Sequence, residues 1–147
     1  MISTVDILKA KILIVDDAPD AVTTLSWLLE NAGYSAIRTT CDPHSVRAMH
    51  AEHNFDLILL DLQMPGMDGF EVMESLKEFE RDGYLPVLAI TSEPDHKLRA
   101  LKRGAKDFLS KPVEIEELLL RVHNMIEVRL LYRESEAGRL TDDAGIG

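Results

Sequence analysis

Five short apolar runs recur along the chain, the second of them weak, and a longer segment with apolar residues at helical spacing follows each one. Short runs rich in Val, Ile and Leu are typical of strands that are buried on both faces. The runs lie at 11–15, 34–39, 55–60, 86–90 and 106–109, and the helical segments at 18–31, 42–53, 70–82, 94–103 and 114–136. This alternation predicts an α/β fold, a doubly wound five-stranded parallel sheet with helices on both faces.

Charge and composition limit the partners and the compartment. A chain of 147 residues fits one domain, and a formal net charge of -10 argues against direct binding of nucleic acid, which needs clustered Lys and Arg. The single cysteine, Cys41, allows no internal disulfide, and residues 1–11 lack the features of a signal peptide. No apolar run approaches the ~20 residues of a membrane span. We therefore expect a cytoplasmic protein with neither nucleic-acid nor membrane partners.

The first strand and the last helix set the expected domain boundaries. Residues 1–10 are predicted to be an N-terminal extension, and residues 11–127 to form the domain. Apolar residues continue past position 127, which leaves two interpretations open: a slightly long terminal helix, or the start of a helical linker or coiled-coil contact. Residues 128–147 are predicted to be an extended C-terminal helix and a disordered tail, because the final segment is short, polar and contains glycine.

Polar residues stand where the predicted strands end. Asp16 and Asp17 follow the first strand, Asp61 ends the third, and Thr91 and Lys111 follow the fourth and fifth. Taken singly, each has an ordinary interpretation as a helix cap, a turn residue or a surface lysine. The carboxyl ends of parallel strands share one edge of the sheet, where ligands bind. The five side chains are therefore expected to converge on one crevice.

Three carboxylates at one sheet edge call for a cation between them. Two carboxylates ~4 Å apart repel by about 4 kcal/mol at an effective dielectric of roughly 20. Mg²⁺ removes that repulsion, and it prefers one or two carboxylates together with waters and a phosphate oxygen. A cation beside one Lys and one Thr suits phosphoryl transfer. Asp61 is the best-placed nucleophile, because it stands at the tip of a central strand beside a Gly-containing loop.

Four stretches of the sequence match one known family. They are ILIVDD at 12–17, LILLDLQMPGMDG at 57–69, Thr91-Ser92, and FLSKP at 108–112. From about Lys11 to Met125 the chain resembles the response-regulator receiver family of two-component signal transduction. The resemblance implies a flavodoxin-like strand order, 2-1-3-4-5, and a phosphorylation-dependent switch. In such a switch Asp61 would accept a phosphoryl group from a sensor histidine kinase or a relay phosphohistidine.

The resemblance also implies roles for the other residues of the crevice. Thr91 and Lys111 would bind the phosphoryl group, and the Lys111–Pro112 peptide bond would be cis. Mg²⁺ would be the cofactor, with Mn²⁺ as a substitute. The implied metal ligands are Asp16, Asp17, Asp61 and the backbone carbonyl of Gln63.

A conformational switch is implied at Thr91 and Phe108. On phosphorylation Thr91 would move toward the phosphoryl group, and the ring of Phe108 would turn inward into the space left. Because Phe lacks the hydroxyl of the more common Tyr, its inward position would depend on burial alone. The resemblance also implies that Gln63 and Glu93 occupy the two positions that vary within the family and tune the lifetime of the phosphate. Both side chains are polar and could reach the path of an attacking water.

The implied partners are a sensor histidine kinase or phosphotransfer protein and a downstream target or fused output domain. The output surface would comprise the fourth helix, the fifth strand and the last helix, a face that could also form a homodimer. The domain would catalyse only its own phosphorylation and dephosphorylation, so we do not expect an enzyme with other substrates.

Two alternative functions stay open. One is a receiver used only for constitutive docking or dimerisation, although all five key residues are present. The other is a phosphohydrolase with an aspartyl nucleophile, like the haloacid-dehalogenase family. That family needs a second Asp two residues after the nucleophile, where this chain has Gln63.

Overall fold

The computed structural model describes residues 2–64, 68–82, 84–93 and 95–146. The strands are β1 (Lys11–Val15), β2 (Ala36–Thr40), β3 (Leu57–Asp61), β4 (Val87–Thr91) and β5 (Asp107–Ser110). The helices are α1 (Thr4–Leu8), α2 (Pro19–Asn31), α3 (Val46–His53), α4 (Gly69–Ser75), α5 (Lys77–Asp82), α6 (His96–Lys102) and α7 (Ile115–Ile146), with a 3₁₀ turn at Pro43–Ser45 before α3.

The five strands form one parallel sheet in the order β2-β1-β3-β4-β5. This arrangement confirms both the predicted α/β class and the strand order. Every residue of β3 and β4 is buried, as expected for central strands that are covered on both faces. In the register of the sheet Asp61 pairs with Ile90, and Thr91 pairs with Ser110. The polar residues at the strand ends therefore share one edge.

Helices cover both faces of the sheet, and alternate strand residues contribute to two separate apolar clusters. Leu13 and Val15 belong to the cluster that includes α4, and Ile12 and Ile14 to the cluster that includes α2 and α7. The chain thus builds two core layers around one sheet, which holds the strand ends in fixed positions. In the described part of the chain, no helix combines the length and the apolar character needed to cross a membrane.

The segment before β1 contains a helix that the sequence prediction left out. Ser3 caps α1: its side chain accepts the Asp6 N–H at 3.1 Å, while the Asp6 carboxylate accepts the Ser3 N–H at 3.0 Å. This reciprocal pair is a capping box. Ile7 is buried in the same cluster as α7. The Ser3-x-x-Asp6 pattern was the signal in the sequence.

Two predicted helices differ from those observed. The helix expected over 70–82 is divided into α4 and α5 at Leu76, whose side chain is buried in the core. The segment predicted to hold a disordered tail lies within α7, which extends to Ile146. An established helix gains one hydrogen bond for each residue it adds, which favours its extension into this segment. Positions 65–67 of the DLQMPGMDG stretch, Pro94 at the expected start of the fourth helix, and Gly147 lie outside the described residues.

A buried charge pair joins α7 to the edge of the sheet opposite the strand-end carboxylates. Asp56 directly precedes β3, and its Oδ1 accepts hydrogen bonds from Arg129 Nε at 3.5 Å and from Arg133 at 2.7 Å. Its Oδ2 accepts the Lys11 N–H at 3.0 Å. Arg129 also donates to the Tyr84 carbonyl. One carboxylate thus holds the starts of β1 and β3 and the middle of α7 together.

Candidate functional site

The turn after β1 directs one carboxylate into the protein and the next outward. Asp16 is buried, and its Oδ1 accepts the Ala18 N–H at 3.0 Å, which fixes the turn that leads into α2. Pro19 begins α2 at a position where a missing N–H costs nothing. Asp17 is at least partly exposed to solvent. The pair therefore offers one buried carboxylate held by a backbone N–H and one that solvent reaches at the edge of the sheet.

Asp61 is the last residue of β3, and only 3% of its surface is exposed. Its Oδ1 accepts the Gln63 N–H at 3.1 Å, so the backbone at Gln63 turns back toward the carboxylate. Gly69, the first residue of α4, lies against the end of β3. A Cβ there would lie 2.6 Å from the Leu62 Cα and 2.8 Å from the Asp61 carbonyl oxygen. The close return of the chain at this point requires glycine.

Four of the predicted site residues lie together. Carboxylate oxygens of Asp16, Asp17 and Asp61 all lie within 4.8 Å of one another. Lys111 Nζ lies 3.4 Å from Asp16 Oδ2 and 3.4 Å from Asp61 Oδ1. The Lys111–Pro112 peptide bond is cis, as the resemblance implies, and the Lys111 N–H donates to the Thr91 carbonyl at 3.0 Å. The structure therefore assembles an acidic cluster with one lysine placed between its two buried members.

Burial dominates the electrostatics of Asp61. Desolvation raises the pKa of its carboxyl group, and the negative charge of Asp16 raises it further. The Gln63 N–H and the Lys111 ammonium act in the opposite direction and lower the pKa. The net direction is upward, so one lysine does not fully offset burial and the neighbouring carboxylate. A cation bound between the carboxylates would favour the ionised form that a nucleophile needs.

Thr91 ends β4 and is buried, and its hydroxyl makes a contact that the sequence did not reveal. Thr91 Oγ1 donates to the side-chain oxygen of Gln63, Oε1, at 2.9 Å, and accepts the Glu93 N–H at 3.1 Å. The same Gln63 oxygen accepts hydrogen bonds from the Ser92 N–H at 3.0 Å and the Ser92 hydroxyl at 2.8 Å. Gln63 Nε2 lies 3.5 Å from Glu93 Oε1. The two positions predicted to tune phosphate lifetime thus face each other beside Thr91.

Phe108 is 7% exposed and belongs to the same core cluster as Ala89 and Ala100. The described conformation is therefore the buried one. Movement of this ring between an exposed and a buried position, which the resemblance implies, stays a prediction.

Comparison with known proteins places this site in a family. A sequence model of the response regulator receiver domain matches residues 12–123, and the chain therefore belongs to the response regulator receiver family. Members of this family act in phosphorylation-based two-component signalling and generally bind Mg²⁺. The family assignment predicted from the sequence is confirmed.

Relatives of different lengths share the domain. Response regulator PleD of Caulobacter vibrioides is 37% identical over 129 residues, and the match covers 86% of this chain but only 28% of PleD. Protein PilH of Pseudomonas aeruginosa is 33% identical over 119 residues, which are 80% of this chain and 97% of PilH. The structure of chemotaxis protein CheY4 of Vibrio cholerae is similar with a TM-score of 0.72 and 32% identity, over 80% of this chain and 98% of CheY4. The same domain thus occurs nearly alone and as part of longer proteins.

Proposed function

We propose that Asp61 accepts a phosphoryl group from a phosphohistidine of a sensor histidine kinase or phosphotransfer protein. The observation that supports this most directly is the position of Lys111, 3.4 Å from the carboxylates of both Asp16 and Asp61. In the transfer, a carboxylate oxygen of Asp61 forms a bond to phosphorus while the phosphorus–nitrogen bond of the phosphohistidine breaks. The phosphohistidine ring, which carries a proton on its other nitrogen, leaves as neutral histidine, and the product is an aspartyl phosphate.

The acidic cluster fits a Mg²⁺ ion, because its oxygens are hard ligands and their mutual repulsion is only partly offset by Lys111. The ligands would be carboxylates of Asp16, Asp17 and Asp61 and the backbone carbonyl of Gln63. Mn²⁺, which also takes oxygen ligands, would substitute. When bound, the ion supplies positive charge to the oxygens of the transferring group. Lys111 supplies a second positive charge, and Thr91 supplies a hydroxyl donor.

The phosphorylated domain controls a downstream target or a fused output domain. Thr91 and Phe108 lie at the end of β4 and in β5, so a shift of Thr91 toward the phosphoryl group is transmitted to α6, β5 and the start of α7. The match covers only 28% of PleD, which supports a fused output domain. It covers 97% of PilH, which supports a separate target. The same face would also serve a homodimer. The domain acts in the cytoplasm. It has no substrate other than its own phosphodonor and phosphoaspartate. Gln63 and Glu93 adjust the lifetime of the phosphoaspartate.

The experiment is intact-mass measurement after incubation with Mg²⁺ and acetyl phosphate, a small acyl phosphate donor. Wild type should gain one phosphoryl group, and EDTA should suppress the gain. Asp61→Asn should gain none. Asp68→Asn is the matched control: Asp68 caps α4 by accepting the Glu71 N–H at 2.9 Å, and Asn preserves that cap.

Phosphorylation of Asp61→Asn at the wild-type rate would contradict the assignment of the nucleophile. Turnover of phosphate monoesters would instead favour the phosphohydrolase. That alternative is disfavoured because Gln63 carries an amide where the hydrolase needs an acid. Failure of wild type with both acetyl phosphate and a phosphohistidine donor would favour constitutive docking.

A further inference from the structure

The side-chain oxygen of Gln63 is the meeting point of three hydrogen bonds. It accepts from the Thr91 hydroxyl at 2.9 Å, the Ser92 N–H at 3.0 Å and the Ser92 hydroxyl at 2.8 Å. Gln63 follows β3 and Thr91 ends β4, so these bonds join two neighbouring strand ends across 28 positions of sequence. We call this set of contacts between Gln63, Thr91 and Ser92 the Gln63 latch.

The Gln63 latch occupies the Thr91 hydroxyl, which is the donor that an oxygen of a phosphoryl group on Asp61 would need. A threonine hydroxyl has one proton and can donate it to one acceptor at a time. In the described structure that acceptor is Gln63 Oε1, at a good hydrogen-bond distance of 2.9 Å. A phosphoryl group on Asp61 that is to receive the Thr91 proton must therefore displace the Gln63 amide.

We propose that Gln63 is a positioning residue that competes with the phosphoryl group for Thr91 and so holds the loop after β4 in its unphosphorylated conformation. This inference rests on the proposed role of Asp61 as phosphoacceptor. It differs from adjustment of the phosphate lifetime, because it acts on the conformational equilibrium before any phosphate is bound. Some ligands bind only the conformation in which Thr91 is released from Gln63. The larger the fraction of protein in the latched conformation, the weaker the apparent affinity of such a ligand.

The local structure makes the latch both specific and reversible. The Gln63 backbone is fixed by its N–H, which donates to Asp61 Oδ1 at 3.1 Å, so the side chain starts from a set position. Gln63 is only partly buried, and Ser92 is exposed, so water can take over the released groups. A net value of about 1 kcal/mol for the Thr91 bond corresponds to roughly a fivefold change in an equilibrium constant.

The test measures binding of beryllofluoride, a phosphoryl analogue, in the presence of Mg²⁺ by NMR titration. Gln63→Met keeps the length of the side chain and the backbone carbonyl but lacks the acceptor, and should bind about five times more tightly than wild type. Ser92→Ala removes one donor and leaves the Thr91–Gln63 bond, so its affinity should stay within twofold of wild type. Mg²⁺ affinity is measured separately for each protein, and the beryllofluoride titrations are run at saturating Mg²⁺ so that the comparison reports beryllofluoride affinity alone.

Two further measurements show whether the effect passes through Thr91. In a Thr91→Val background, Gln63→Met should change beryllofluoride affinity by less than twofold. In the metal-free protein, the Ser92 N–H should exchange with solvent at least about five times faster in Gln63→Met than in wild type. Ser92→Ala keeps the position-92 N–H and its acceptor, and its exchange should remain slow.

The outcomes separate the latch from the function on which it rests. Equal beryllofluoride affinities in wild type and Gln63→Met would overturn the latch while leaving Asp61 as the phosphoacceptor. An effect of Gln63→Met that persists in Thr91→Val would also overturn it, because the effect would then not pass through the hydroxyl. Absence of beryllofluoride binding in wild type would instead overturn the proposed function, and the competition with it.

Discussion

Removal of the Asp56 carboxylate tests how α7 is attached to the sheet. Asp56 is 4% exposed and Arg129 is 6% exposed, so the pair that they form is removed from water. Asp56 also accepts the Lys11 N–H at 3.0 Å and a hydrogen bond from Arg133 at 2.7 Å. Asp56→Ala therefore removes the buried carboxylate that faces Arg129 and, at the same time, the acceptor of a backbone donor at the start of β1.

The size of the effect follows from the burial of the pair. Breaking a buried ion pair from one side costs about 3–5 kcal/mol, since the remaining charge stays in a poorly solvated position. Of that total, about 1 kcal/mol comes from loss of the acceptor for the Lys11 N–H. Arg133 is half exposed, so Arg133→Gln should cost less than about 1 kcal/mol. Asp56→Ala with Arg129→Met should recover at least about 2 kcal/mol, because neither charge then remains buried.

The assay is equilibrium urea denaturation followed by circular dichroism at pH 7, with the free energy of unfolding compared at constant m-value. Arg133→Gln serves as the matched control, because it removes the exposed partner of the same carboxylate. If Asp56→Ala lost no more stability than Arg133→Gln, the buried pair would contribute little and the reasoning from burial would be refuted.

The remaining predictions concern one buried histidine and one close-packed glycine. Burial, followed by the charge of Arg129, lowers the pKa of His50 from 6.5 to about 4. Stability should therefore be complete above about pH 6.5 and fall by about 3 kcal/mol toward pH 4, because only the unfolded state takes up the proton in that interval. Urea denaturation across this range should show the fall in wild type and a weaker one in His50→Gln, and identical profiles would contradict it. Gly69→Ala should cost more than about 2 kcal/mol, because its Cβ would overlap the Leu62 backbone. Gly104→Ala, with a φ of +112° but open space around the Cβ, should cost about 1–2 kcal/mol, and equal losses on urea denaturation would refute the steric argument.

The sequence alone was enough for the sheet and for the convergence of the main site residues. Short apolar runs and longer amphipathic segments follow from the local periods of strands and helices. Parallel strands connected by right-handed crossovers place their carboxyl ends on one edge. Asp16, Asp61 and Lys111 therefore had to meet, although they are spread over 95 positions of sequence. No knowledge of side-chain rotamers was needed for that conclusion.

Helix ends were less predictable than strand ends. The capping box at Ser3 was visible, but a five-residue helix is too short to show an apolar period. At the other end, glycine and polar residues suggested disorder, whereas α7 continues to Ile146. Both differences arise where local preference is weak, so that packing or propagation from a formed helix decides the outcome.

Only the tertiary structure decided which side chains pair within the crevice and beneath the sheet. The Thr91 hydroxyl donates to Gln63, 28 positions away, and Asp56 binds Arg129, 73 positions away. Neither pair has a periodic or spacing signal, because each depends on the orientation of two side chains after the backbone has folded. The sequence determined where the chemistry is located, since strand ends are fixed by topology. The structure decided which group accepts the Thr91 proton, since a hydrogen bond depends on distances of a few tenths of an ångström.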